Sequence, residues 1–227
     1  MLNLRLCLRR WVTTGQTKST TFHFGLITQG GKKLSTRKGN VVFLDQVLKD
    51  AVSLAKKQIQ EKNPDLANQD QVAHDVGVGA VVFHDLKNDR LDNFDFNLEE
   101  VVRFEGDTGP YVQYTNARAQ SVLRKAAAMG EKPSDTDLAL NDDWAFAVAK
   151  DLADFPRIVA RASEKFEPSV IAKYSLDLAK KFNKYYANVK ILTKDDKIGA
   201  RLALVQATSI VLTESLRLLG VNAPKEM

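Results

Sequence analysis

Residues 106–128, GDTGPYVQYTNARAQSVLRKAAA, decide the fold. Gly106 and Gly109 let the chain turn, and Pro110 fixes φ near the helical value at a position where its missing N–H is not needed. A helix is therefore expected from about Pro110 to Ala128, with Gly130 placed to cap its end. Apolar residues then recur at helical spacing in three further runs. These are 142–163 (Trp144, Val148, Leu152, Phe155, Val159), 168–191, opened by Pro168 (Ile171, Tyr174, Leu178, Phe182, Tyr185, Val189), and 195–219 (Ile198, Leu202, Val205, Leu212, Leu216, Leu219). Pro156 lies inside the first run and is expected to kink it. Helices joined by short links make an antiparallel helical bundle the natural architecture for 106–227, and the chain reads as mainly α.

Upstream, Leu44, Val47, Leu48, Ala51, Val52, Ala55 and Ile59 predict a helix that ends at Asn63-Pro64. A second helix is expected from about Gln71 to Leu86, with Gly77 and Gly79 placed where a neighbour approaches closely. RLDNFDFNLEE, residues 90–100, reads as extended and leads into a short helix around Val101 and Val102. GLITQGGKKLSTRKG, residues 25–39, reads as a loop in which hydroxyls alternate with cations. Residues 1–21 are Arg-rich and acid-free, the composition of a transit peptide or a basic arm. They are read as an unplaced, non-native arm that carries no fold argument.

The 227 residues, 44% hydrophobic and 27% charged, suit a globular protein and exclude collagen-like or disordered classes. Cys7 is the single cysteine, so neither an internal disulfide nor a cysteine-rich zinc site is available, and a cytoplasmic setting is expected. Among His23, His74 and His84 there is no metal spacing, and no metal site is assigned. No apolar run reaches membrane-spanning length, so no membrane partner is expected. The net charge of +5 is uneven: residues 1–44 carry eight Lys/Arg and no acid, whereas residues 45–104 carry seven against twelve acids. Residues 157–201 hold eleven Lys/Arg against five acids, a candidate footprint for a polyanion. The acidic stretch from Asp85 to Glu100 reads as solvated surface.

Two segments carry candidate binding chemistry. The helix after Pro110 presents Tyr111, Gln113, Tyr114, Asn116 and Arg118, able to hydrogen-bond phosphate and ribose or to stack on bases; the spacing alone favours a capped helix with half-buried tyrosines. On 168–191, aromatic residues are interleaved with Lys173, Lys180, Lys181, Lys184 and Lys190, the pairing used on single-stranded RNA. Tyr174, Phe182 and Tyr185 also fit a core, and Asn183 and Tyr186 are the side chains expected to be exposed.

Lys33-Leu34-Ser35-Thr36-Arg37-Lys38-Gly39-Asn40, followed by Gly106-Asp107-Thr108-Gly109-Pro110-Tyr111-Val112-Gln113-Tyr114, resembles the arginyl-tRNA synthetase family. Residues 174–187 and the ending from Glu214 to Met227 are similar to that family too, so the resemblance spans roughly 22–227. It implies that 22–105 is the end of a class I catalytic region and 106–227 an all-α anticodon-binding domain. Lys33, Ser35, Thr36, Arg37 and Lys38 then form the signature loop on the ATP phosphates, with Thr36 where the family pattern has its second lysine. Tyr111, Gln113, Tyr114, Asn116, Arg118, Lys181, Asn183, Tyr186 and Met227 become the residues expected on tRNA. ATP with Mg serves the intact family, which joins arginine to its tRNA. No His-x-Gly-His motif is present, so the chain resembles only the C-terminal portion. It is expected to be inactive alone, to bind no cofactor tightly, and to have arginine tRNA and the missing N-terminal half as partners. The alternative is a non-catalytic helical protein-interaction module, driven by apolar surface.

Overall fold

A computed structural model describes residues 21–33, 43–134 and 140–227. The helices follow the sequence pattern closely. In chain order they are α1 (Leu44–Lys62), α2 (Gln69–Lys87), α3 (Leu98–Val101), α4 (Gly109–Ala128), α5 (Asp143–Lys165), α6 (Ser169–Asn188) and α7 (Ile198–Leu218). Caps explain several ends. Asn97 accepts from the Glu99 amide, Thr108 from the Tyr111 amide and Asp142 from the Ala145 amide, each satisfying an otherwise unpaired N–H. Gly130, at φ 80°, takes the left-handed turn after α4. α5 runs unbroken through Pro156 and ends at Phe166 in the left-handed region, φ 54°.

Residues 25–39 differ from the expected loop. Ile27–Gln29 (β1) and Lys32–Lys33 (β2) pair antiparallel, and Phe94–Asp95 (β3) adds parallel to β1, giving the order β2-β1-β3. The reason is the Gly30-Gly31 turn: both glycines have positive φ, 58° and 71°, the backbone a two-residue hairpin requires. The Asp95 carboxylate accepts from both glycine amides (3.2 and 3.0 Å) and from the Thr28 hydroxyl (2.8 Å). Those hydrogen bonds, the Gly31 amide foremost, hold its pKa below the usual carboxylate range.

α1 and α2 form a hairpin closed by Ala55 and Ile59 against Val72, Ala73 and Val76. The close approach expected at Gly77 is present, since a Cβ there would lie 2.6 Å from the Val52 backbone. α4, α5, α6 and α7 make the bundle, whose core includes Val112, Val148, Leu178, Phe182, Tyr185, Leu202 and Leu212. Phe166, Glu167 and Pro168 alone link α5 to α6, so these two packed helices must run antiparallel. Phe83 of α2 joins the bundle core beside Gly109, where a Cβ would sit 2.8 Å from that of Phe83. The α1–α2 hairpin and the bundle are thus packed into one another.

Candidate nucleic-acid interface

Five segments enclose a groove of about 990 Å3: the end of α1 at Asn63, the outer face of α4, the last turn of α6, the connection from Lys190 to Thr193, and the chain end at Glu226 and Met227. Helical geometry sorts the candidates on α4. Tyr111, Tyr114 and Arg118, at i, i+3 and i+7, share the outward face, whereas Gln113 and Asn116 point inward.

Both inward residues are corrections to the expected tRNA set. Gln113 is fully buried and donates to the carbonyls of Asp75 (3.2 Å) and Asn222 (2.7 Å), tying α2 and the chain end to α4. Asn116 is also buried, and its amide oxygen accepts from the Ser209 hydroxyl at 2.7 Å. Neither offers surface to a ligand, because the face that the 3.6-residue period turns toward α2 and α7 belongs to them.

The groove centre is an aromatic and cationic stack. The Arg118 guanidinium lies 5.0 Å from the Tyr114 ring centre and 5.1 Å from that of Tyr186. Its edge donates to the Asn183 side-chain oxygen. The Asn183 amide in turn donates to the Tyr111 hydroxyl (2.9 Å) and the Thr115 hydroxyl (2.8 Å). Asn183, expected to be exposed, is half-buried and spends its hydrogen bonds on this network. Tyr186 is exposed (41%), as expected, while Tyr174, Phe182 and Tyr185 are core. Lys62, at the end of α1, places its ammonium 5.0 Å from the Phe104 ring and 5.6 Å from that of Tyr114. Cations held over ring faces in this way keep their charge while losing rotamer freedom.

The other walls are held from behind. Arg124 donates to the Lys225 carbonyl (3.1 Å) and pairs with Glu226 (3.2 Å), and Asn63 donates to the Met227 carbonyl (3.3 Å), so the chain end lies along α4. Met227 packs with Tyr114 against the α1–α2 cluster. Arg201, counted from sequence as part of a basic face, is buried instead. It donates to the carbonyls of Ile191 (3.0 Å) and Thr193 (2.6 Å) and pairs with Asp195 (2.8 Å), fixing the groove-wall loop.

The basic stretch is further reduced by pairing. Lys181, half-exposed, meets Asp151 of α5 at 2.7 Å and is not one of the groove-lining residues. Lys180 meets Asp107 at 2.6 Å, a hydrogen bond that raises its pKa. Among the described residues the cationic side chains lining the groove are Arg118, Arg124, Lys125 and Lys190, and the one acidic side chain is Glu226, beside the terminal carboxylate of Met227. Of the predicted signature loop, Ser35, Thr36, Arg37 and Lys38 lie outside the described residues, and for Lys33 only the backbone, in β2, is described. Among the described residues no His/Cys/Asp/Glu group could hold a metal ion, and no helix is long and apolar enough to cross a membrane. Sequence reasoning missed Lys62, Asn63 and Arg124; their role depends on where α1 and the chain end meet α4, which no local pattern encodes.

Comparison with known proteins gives this geometry a family context. Residues 112–227 match the model of the DALR anticodon binding domain, and residues 11–98 match that of the class I (R) tRNA synthetase catalytic domain. The chain is 93% identical over 204 residues to arginine–tRNA ligase of Lactobacillus acidophilus and 82% identical to that of Lactobacillus johnsonii, in each case over 90% of this chain and 36% of the relative. It therefore spans about a third of the length of these curated relatives. The structure of Thermus thermophilus arginyl-tRNA synthetase is similar with TM-score 0.81 and 38% identity, over 90% of this chain and 35% of that one. That of Plasmodium falciparum arginyl-tRNA synthetase, at TM-score 0.72 and 22% identity over 90% and 34%, shares the fold.

Proposed function

The chain belongs to the DALR anticodon-binding domain family, and from that premise we propose that its groove binds the anticodon loop of an arginine-accepting tRNA, as the C-terminal part of an arginine–tRNA ligase. The observation that carries this reading is the Tyr114–Arg118–Tyr186 stack in a groove lined by cations. Unstacked bases need flat partners, and the phosphates between them need positive charge; this groove offers both within one turn of α4 and the end of α6. Tyr186 is the exposed platform, Arg118 supplies charge and a planar face, and Met227 closes the apolar edge beside Tyr114.

In this reading the relatives' reaction, ATP-dependent attachment of arginine to tRNA, requires the rest of the length those relatives have, and that N-terminal portion is a partner of this chain. Lys33, Ser35, Thr36, Arg37 and Lys38 act on ATP phosphates, with Mg, only in that setting, supplying cations and hydroxyl donors where phosphate charge develops. The chain alone charges no tRNA.

A second reading has one observation behind it. Phe22, Phe24, Ile27, Phe94 and Phe166 line an apolar cleft of about 790 Å3 between the small sheet and the α5–α6 corner, a surface suited to a protein partner. Salt separates the two. A titration of the chain with arginine tRNA and with an unrelated tRNA, at low and moderate salt, is expected to give tighter, salt-sensitive binding to the first. Equal or absent binding to the two would reject the RNA reading and leave the cleft as the functional surface.

A further inference from the structure

We propose that Lys62, carried by α1, is an RNA-contacting residue of the groove, so that the class I portion and the helical bundle build one nucleic-acid surface together. The inference rests on the tRNA reading above and adds a residue that comes from outside the segment matched to the DALR domain, residues 112–227.

Position is the first argument. Lys62 is the last residue of α1, and its ammonium stands within 5.6 Å of the ring of Tyr114, which lines the groove and also carries Arg118. The next residue, Asn63, lines the groove itself and holds the Met227 carbonyl. The end of α1 is therefore a wall of the groove.

Charge is the second. Lys49 and Lys56, on the same helix, are paired with Asp45 (2.7 Å) and Asp70 (2.6 Å). Lys62 is exposed, and among the described residues no carboxylate lies within ion-pair distance of it. Its contacts are the two ring faces of Phe104 and Tyr114, which orient an ammonium without neutralising it. An unneutralised, oriented cation beside a base-stacking platform is placed to take a phosphate and release a counterion. A structural role also exists for a lysine in the last helical turn, where it faces the negative end of the helix dipole, so the test must read something that this role does not move.

The experiment compares the full chain with Lys62→Met, which keeps the apolar stem, and with Lys62→Arg, titrating each with arginine tRNA over a range of salt. Lys62→Met is expected to weaken binding several-fold at low salt and to lower the slope of log affinity against log salt by about 0.7 to 0.9, the value of one phosphate contact. Lys62→Arg is expected to restore the slope, and all three proteins to share one circular dichroism spectrum. A parent that binds while Lys62→Met shows the parent's slope overturns this inference and leaves the tRNA reading standing. A parent that does not bind arginine tRNA overturns both.

Discussion

Arg118 donates to the side-chain oxygen of Asn183, and through that bond α4 and α6 are joined at the centre of the groove. The consequence for function is geometric. A guanidinium held at its edge by Asn183, with ring faces of Tyr114 and Tyr186 about it, has little freedom left to lose on binding. Asn183 acts through Arg118, and the two substitutions should not add. Asn183→Ala is expected to weaken arginine tRNA binding about tenfold, Arg118→Ala by about ten- to a hundredfold, and the double variant by little more than Arg118→Ala alone. A double-mutant cycle in tRNA affinity checks this.

Tyr185 and Tyr186 are sequence neighbours with opposite fates. Tyr186→Ala removes an exposed platform; it is expected to cost about 1–3 kcal/mol of RNA binding and under about 0.5 kcal/mol of stability. Tyr185→Ala empties a fully buried position and is expected to cost about 3–5 kcal/mol of folding stability. Urea denaturation and tRNA titration, run on both variants, separate the two effects.

At Gly77 the α1–α2 hairpin admits no side chain, because the Val52 backbone stands 2.6 Å from where a Cβ would be. Gly77→Ala gains helix propensity, worth about 1 kcal/mol, yet must push two backbones apart. The net outcome expected is destabilisation by about 1–3 kcal/mol, read as a lower urea midpoint at unchanged slope. Since the end of α1 forms a groove wall, weaker tRNA binding should accompany it.

Burial and then the charge of Lys87 lower the pKa of His84 to about 4; a backbone hydrogen bond involving Asp95 acts weakly the other way. Its ring sits against Phe94 (5.4 Å) and Phe96 (5.8 Å). Above the unfolded-state pKa of about 6.5, both states are neutral and pH has no leverage. As pH falls from there toward 4, the unfolded chain takes the proton first, so stability falls with it. With solvent reaching part of the ring, the loss is of order 1–2 kcal/mol. Urea midpoints at about pH 7.5 and pH 5 should differ in the parent, and His84→Phe should shrink that difference.

Much of the helical framework is readable locally. Pro110 and Gly130 bracket α4 to within a residue, and the period of Leu178, Phe182 and Tyr185 identifies the buried face of α6. The β1–β2 hairpin escapes because its strands are three and two residues long, too short for an alternation to register beside the glycines. The groove is half legible. Tyr114, Arg118 and Tyr186 are singled out by composition together with the family resemblance, and the same reading takes in Gln113 and Asn116, whose face is turned to α2 and α7. Lys181 looks like an unpaired cation until Asp151 arrives from α5, and Arg201 looks like a surface cation until the fold buries it against Asp195, from the loop before α7. Asp151 is thirty residues away from Lys181, a distance at which sequence carries no pairing information.

The central claim is that the groove holds the anticodon loop. The most direct measurement is a backbone-cleavage footprint of arginine tRNA bound to the chain, repeated with Tyr186→Ala. Protection confined to the anticodon loop, and lost with Tyr186→Ala, is the predicted result. Protection of the acceptor stem instead, or anticodon-loop protection that survives Tyr186→Ala unchanged, would contradict it.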